Sequence, residues 1–206
     1  MKITKIEKQK KDMHRYNIFF DGEFAFGLYE DSVLKFGLRT GDEADEDKIK
    51  EMKEFDEIGF GKKVAYAYLA YKQRSSKELK QKLKQKKISE NTIDKVIGLL
   101  EKQKYLDDKS YAKNFLEERL RRKPIGKRLA KMKLSEKGID KETVEETIED
   151  NYSEGKEVEL ARGLLAKYKK NVKGNNEAEK KSKCYRYLIS RGFDYETVRE
   201  AINIEN

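Results

Sequence analysis

The chain of 206 residues contains one cysteine, one histidine, one proline and no tryptophan. Cys184 alone cannot close an internal disulfide, and together with His14 it falls short of the four ligands of a tetrahedral zinc site. These absences fit a reducing compartment and predict a cytoplasmic protein that needs no cofactor. Pro124 is the sole proline, so ring constraints interrupt helices almost nowhere. No stretch of about 18 apolar residues occurs, and Lys2 to Lys11 is polar, which predicts neither a membrane span nor an export leader. With 36% hydrophobic and 42% charged residues, several modest cores are expected rather than one wide one.

What the chain does have is positive charge, unevenly placed. The net charge of +9 divides into +2 over residues 1–41, −6 over 42–61, +15 over 62–137 and −2 over 138–206. Between Arg119 and Lys133 lie eight basic residues and no acidic one. Four of the eleven arginines fall between 119 and 128, although lysine dominates elsewhere. Arginine is favoured where phosphate or carboxylate is held by two donors, so this run is a candidate surface for a polyanion. The alternative is a solvated helix face in a lysine-rich protein.

Two patterns organise the chain. Near the start, Arg15-Tyr16-Asn17-Ile18-Phe19-Phe20 and Glu23-Phe24-Ala25-Phe26-Gly27-Leu28 flank Asp21-Gly22, a strong two-residue hairpin signal. Lys2 to Glu7 can add a third strand, which an otherwise marginal hairpin needs. From Asp42 onward the spacing is helical, and it repeats. Segments beginning at Lys87, Gly138 and Gly192 align without gaps at offsets of 51 and 54 residues. Each reads as a turn, an N-cap (Ser89, Asp140, Asp194) and a short helix carrying an apolar i, i+4 pair: Ile93/Ile97, Val144/Ile148 and Val198/Ile202. The same offsets pair Leu83 with Leu134 and Leu188, and Leu79 with Ala130 and Cys184, which makes Cys184 a core residue. Ala67, Ala112 and Ala161 are expected to open the first helix of each unit. Ser75-Ser76-Lys77-Glu78 reads as a capping box, Pro124 as a helix N-terminal proline, and Asn171–Asn176 as the most flexible loop of the repeats.

The expected architecture is mainly α: tandem three-helix repeats forming an elongated curved rod, behind a small N-terminal region containing a β-hairpin. The expected boundaries are 1–60 for the hairpin and acidic helix, then repeats at 61–106, 107–153 and 154–206.

A catalytic constellation is hard to assemble. His14 has no second histidine or nearby cysteine to act with, and Gly59-Phe60-Gly61-Lys62-Lys63 lacks the spacing of a phosphate loop. Asp107-Asp108 could hold a metal as in a nuclease, but paired aspartates ahead of a helix also read as a cap. Tyr66, Tyr68, Tyr71, Tyr105, Tyr111 and Phe115 lie near basic residues, as base-stacking rings do, yet helical spacing buries most of them. No enzyme is expected.

The ordered series Arg74-Ser75-Ser76-Lys77-Glu78-Leu79, Tyr105-Leu106-Asp107-Asp108, Tyr111-Ala112, Arg119, Gly126, Lys137-Gly138-Ile139 and Arg191-Gly192-Phe193 resembles the RecX family over about residues 62–203. The Asp21-Gly22-Glu23 hairpin is similar too. Lys104 stands where the family usually has glycine, and Met132-Lys133-Leu134 replaces its usual acidic-Leu pair. The resemblance implies a cytosolic modulator, usually an inhibitor, of the RecA recombinase. Such a protein lies in or along the groove of the nucleoprotein filament and affects ATP hydrolysis, strand exchange and the co-protease activity behind the SOS response. It implies no catalytic residue. Expected contacts to the filament, or to single- or double-stranded DNA within it, are Arg121, Arg122, Lys123, Lys127, Arg128 and Lys131, followed by Arg74, Arg119, Arg162 and Arg191. A monomer is expected. The competing reading is a sequence-nonspecific DNA-binding protein that acts without a recombinase.

Overall fold

A computed structural model describes residues 1–174 and 176–203. Asn175, in the loop expected to be most flexible, and the last three residues of the expected third repeat lie outside the described residues. Strands β1 (Ile3–Lys8), β2 (Arg15–Phe20) and β3 (Glu23–Tyr29) form an antiparallel sheet in chain order. Phe20 pairs with Glu23, leaving Asp21 and Gly22 as a two-residue turn with φ of 49° and 92°. Positive φ at both positions gives the type I′ twist that the Asp-Gly pair predicts. Ile3, Ile18, Phe20 and Leu28 are buried with Leu38, Ala44 and Met52. The third strand and a helix therefore cover the hairpin, as its marginal stability requires.

Helix α1 (Glu30–Lys35) carries no clear start signal, and its N-cap Tyr29 makes no side-chain cap bond. The acceptor comes from α2 (Glu46–Tyr71): Asp56, buried at 8% exposure, accepts from Tyr29 N and Ser32 Oγ, both at 2.6 Å. Asp45 caps α2 by accepting from Lys48 N at 2.7 Å. Helix α2 runs unbroken through 60/61, where the N-terminal region was expected to give way to the first repeat. The first helix of that repeat is thus the second half of α2, and the expectation that Ala67 opens it does not hold. Ala67 is exposed, whereas Ala65 is fully buried on the face of Met52, Asp56 and Gly61. Two small residues two apart point about 200° apart on a helix, so only one can face the core.

The remaining helices are α3 (Ser76–Gln85), α4 (Glu90–Lys102), α5 (Asp108–Arg122), α6 (Lys127–Glu136), α7 (Lys141–Asn151), α8 (Lys156–Lys169), α9 (Glu177–Ser190) and α10 (Tyr195–Asn203). Their caps follow the aligned segments. Ser89 accepts from Thr92 N, Asp140 from Thr143 N and Asp194 from Thr197 N. Leu83, Leu134 and Leu188 are fully buried, and Cys184 is 3% exposed. Gly138 and Gly192 take φ of +84° and +87°, and Lys87, their counterpart, takes +60°. Lys104, in the position where the family pattern has glycine, takes +62°. Pro124 does not begin α6: Gly126 is the N-cap and Lys127 the first helical residue. The proline instead follows Lys123, the C-cap of α5, where it stops that helix.

The chain divides into two compact units, residues 1–72 with 79–105, and residues 73–78 with 106–206. Within the second unit one contact pattern occurs twice. Ser75 Oγ donates to Lys137 O at 2.7 Å, and Gly126 N donates to Arg191 O at 3.0 Å. In each case the residue ahead of a repeat's second helix meets the residue before the left-handed glycine of the next repeat. Beside these contacts, Asp108 accepts from Ser76 N at 2.8 Å and Glu157 accepts from Lys127 N at 2.7 Å. An acidic residue in the first turn of one repeat therefore caps the second helix of the repeat before it.

Candidate functional site

The expected contact residues separate into three physical groups. Arg121, Arg122 and Lys123, at the C-terminal end of α5, are exposed. Their charge complements the negative helix end. Among the described residues one exposed ion pair ties them down, Arg122 to Glu118 at 3.3 Å, and such a pair contributes about 0–1 kcal/mol.

The second group follows in α6, where the structure gives each cation internal work. Lys127 lies 3.7 Å from the Glu157 carboxylate and 6.0 Å from the Tyr152 ring centroid. Lys131 pairs with Glu145, and Arg128 Nη2 donates to Ile189 O at 3.2 Å. No acidic residue of α6 itself offsets its N-terminus, so Glu157 supplies the missing acceptor. Burial pushes the Glu157 carboxyl above its usual range, against the lowering effect of the Lys127 N–H and ammonium. Tyr152 donates to Ile125 O at 2.7 Å from a buried position and fixes the connection between α5 and α6.

The third group, Arg74, Arg119, Arg162 and Arg191, is half-buried. The Nε atoms of Arg74, Arg119 and Arg162 are shielded from solvent. Arg162 pairs with Glu200 at 3.3 Å, and the Arg191 guanidinium lies 5.1 Å from the Tyr187 ring centroid. That ring stacks on Tyr168 at 4.0 Å, nearly parallel.

Residue spacing does not single out the cluster around Glu78. Its carboxylate receives Lys137 Nζ at 2.7 Å, Tyr111 OH at 3.2 Å and Ser75 N at 3.3 Å, while Ser75 Oγ accepts from Glu78 N. The capping box is therefore reciprocal, and it is bound to α5 and to the end of α6. Burial pushes the Glu78 carboxyl up, but Lys137 and the other donors outweigh it and hold it below the usual carboxylate range. Burial and the adjacent carboxylate raise the Tyr111 phenol well above its ordinary value. Because the folded-state pKa of Glu78 is depressed, its stabilisation is present above the unfolded-state value, near roughly pH 4.3, and is lost as pH falls through the folded one. The stability gap between the native chain and Glu78→Gln, followed by urea denaturation, is expected to be full near neutrality and to close on acidification. A gap independent of pH would contradict this.

Asp107 and Asp108 serve the backbone. Asp107 accepts from Ser110 N at 3.0 Å and Ser110 Oγ at 2.9 Å, while Asp108 accepts from Ser76 N. Burial raises the Asp108 carboxyl above its usual range. Among the described residues no group of three His, Cys, Asp or Glu side chains is placed to hold a metal. His14 is largely exposed and lies 3.7 Å from Glu30. Tyr111 is buried and stacks on Phe115, whereas Tyr66, Tyr71 and Tyr105 are exposed, with Tyr66 edge-on to Tyr105, so helical packing accounts for only part of this set of rings. No described helix is long and apolar enough to cross a membrane.

Comparison with known proteins agrees with this geometry along the chain. The model of the regulatory protein RecX N-terminal domain matches residues 1–45. Models of the first, second and third RecX three-helix domains match residues 62–100, 107–148 and 156–202. Regulatory protein RecX of Leuconostoc mesenteroides is 35% identical over 195 residues, covering 95% of this chain and 72% of that one. The Staphylococcus aureus protein of the same name is 33% identical over 202 residues, covering 98% and 74%. A crystal structure of regulatory protein RecX superposes with a TM-score of 0.73 at 28% identity and covers 98% of both chains. The crystal structure of RecX from Lactobacillus salivarius gives 0.65 at 28% identity, covering 72% of this chain and 96% of that one. With a three-stranded sheet, three tandem three-helix units and relatives at this level of identity, the chain belongs to the RecX family of regulatory proteins.

Proposed function

We propose that this protein acts in the cytoplasm as a non-catalytic modulator of the RecA nucleoprotein filament, and that its effect is inhibition of ATP hydrolysis, strand exchange and co-protease activity. The observation that carries the reading is the exposed cationic end of α5, Arg121 to Lys123, in a chain that holds all four RecX segments. A filament presents acidic protein surface and DNA phosphate, and exposed cations accelerate encounter with either. Inhibition without chemistry requires only that the protein bind one filament state more tightly than another. Regulation of recombination, DNA repair and the SOS response would follow from that preference.

The test is the DNA-dependent ATPase rate of RecA from the same source, titrated with this protein at fixed salt and DNA. Inhibition at protein well below the recombinase concentration is expected. An unchanged rate, with DNA binding by the protein intact, would replace this reading with that of a nonspecific DNA-binding protein.

A further inference from the structure

Within the first compact unit, a cleft of about 230 Å³ is lined by Arg15, Lys53, Lys86 and Lys87, together with Asp56 and Glu57. Both carboxylates are already committed. Asp56 receives Tyr29 N and Ser32 Oγ, and Glu57 receives Ser89 N at 2.9 Å with the Ser89 and Thr92 hydroxyls at 2.5 Å. Among the described residues none of the four cations forms an ion pair. Elsewhere in the same unit Lys80, Lys84 and Lys95 each do. The Arg15 guanidinium is held 4.6 Å from the Tyr29 ring centroid while Nη2 donates to Gly27 O at 3.0 Å. Its Nε is buried with no hydrogen-bond partner. The cleft thus sets four cations against two carboxylates, a net positive charge, and among the four the Arg15 guanidinium is held in place.

Lys87 adds an independent observation. It occupies the left-handed turn position, φ +60°, that the second and third repeats fill with Gly138 and Gly192. A side chain resists that conformation and glycine does not. Lys104 carries the same strain, at φ +62°, outside the cleft; what sets Lys87 apart is that its side chain lines the cleft beside Lys86 and Arg15. The rings present argue about the ligand: Tyr29 is stacked on Phe60 at 5.8 Å and covered by Arg15, so neither offers a free platform for a nucleobase. A cleft of this size also excludes a duplex, whereas an extended acidic segment can insert one carboxylate at a time.

We propose that this cleft binds an acidic peptide segment of a protein partner, with its carboxylates gripped by Arg15, Lys86 and Lys87. The site is separate from the α5 surface, so either can fail alone. The test uses the whole chain and a fluorescein-labelled hexaglutamate peptide followed by anisotropy, with unlabelled oligothymidylate as competitor. Binding is expected to weaken with salt and to fall about tenfold in Lys87→Gly, while the melting temperature of that variant rises because the turn relaxes. Lys104→Gly relieves the same kind of strain outside the cleft, so it is expected to raise the melting temperature and leave binding unchanged. Wild-type affinity in a stabilised Lys87→Gly overturns the proposal. Oligothymidylate binding that falls with Lys87→Gly, while hexaglutamate binding does not, assigns the cleft to nucleic acid instead.

Discussion

Gly192→Ala is expected to destabilise the protein by about 3 kcal/mol or more and to lower its melting temperature by roughly 10 °C. Two costs act together. The residue sits at φ +87°, where a side chain costs about 1–2 kcal/mol. A Cβ there would also lie 2.3 Å from Leu129 Cβ and 2.6 Å from Leu129 N, with Leu129 Cα at 2.9 Å. No flexible side-chain end is available to yield, because the obstruction is backbone and its attached carbon. The same junction seen from the other side gives a matching expectation. Gly126 has an ordinary φ of −78°, yet its Cβ would lie 2.3 Å from Gly192 O and 2.4 Å from Phe193 N. Gly155→Ala separates the two costs, since Gly155 also has positive φ, +74°, but nothing lies within 4 Å of its Cβ. It should cost only about 1 kcal/mol. Thermal melts of the three variants decide the matter: a Gly192→Ala chain as stable as Gly155→Ala would mean that the two repeats do not approach as closely as described.

That junction also shows where the sequence is legible and where it is not. Caps and left-handed turns act through residues three or four apart, so the ungapped alignment at Lys87, Gly138 and Gly192 finds Ser89, Asp140, Asp194 and the two glycines. The hairpin is equally local, resting on Asp21 and Gly22. The acceptors contributed by Asp108 and Glu157 are not local. The two acidic residues are 49 positions apart while the backbone donors they serve, at Ser76 and Lys127, are 51 apart, so an ungapped register cannot pair them. Helix α1 is hidden for a similar reason, because its acceptor Asp56 lies 27 residues beyond the Tyr29 N–H that it receives. At Ala67 local periodicity does not set the phase of the helix, which the core fixes through Met52 and Gly61. For the candidate surface, composition locates the cationic run between Arg119 and Lys133. It does not divide the run into free and committed charges, because Glu145, Glu157 and the Ile189 carbonyl come from other helices.

This division predicts that charge reversals within one basic run have different consequences. Arg121→Glu with Lys123→Glu removes two exposed cations at the end of α5, neither of them ion-paired among the described residues. The variant should melt close to the native temperature, since exposed substitutions of this kind usually change stability by about 0.5 kcal/mol or less. On the proposed reading repulsion at the filament replaces attraction, so the concentration needed to inhibit the recombinase ATPase should rise on the order of tenfold to a hundredfold. Lys127→Glu should behave in the opposite way. It places a second carboxylate beside Glu157, whose side chain is 9% exposed and already above its usual pKa range through burial. The main effect is therefore a fall in melting temperature, because like charges in a desolvated junction repel strongly. Any loss of inhibition should follow the loss of folded protein. Measuring melting and ATPase inhibition on both variants at one salt concentration separates the alternatives. If Arg121→Glu with Lys123→Glu inhibits at native concentrations, the exposed end of α5 is not the contact surface, and the half-buried arginines of the third repeat become the next residues to reverse.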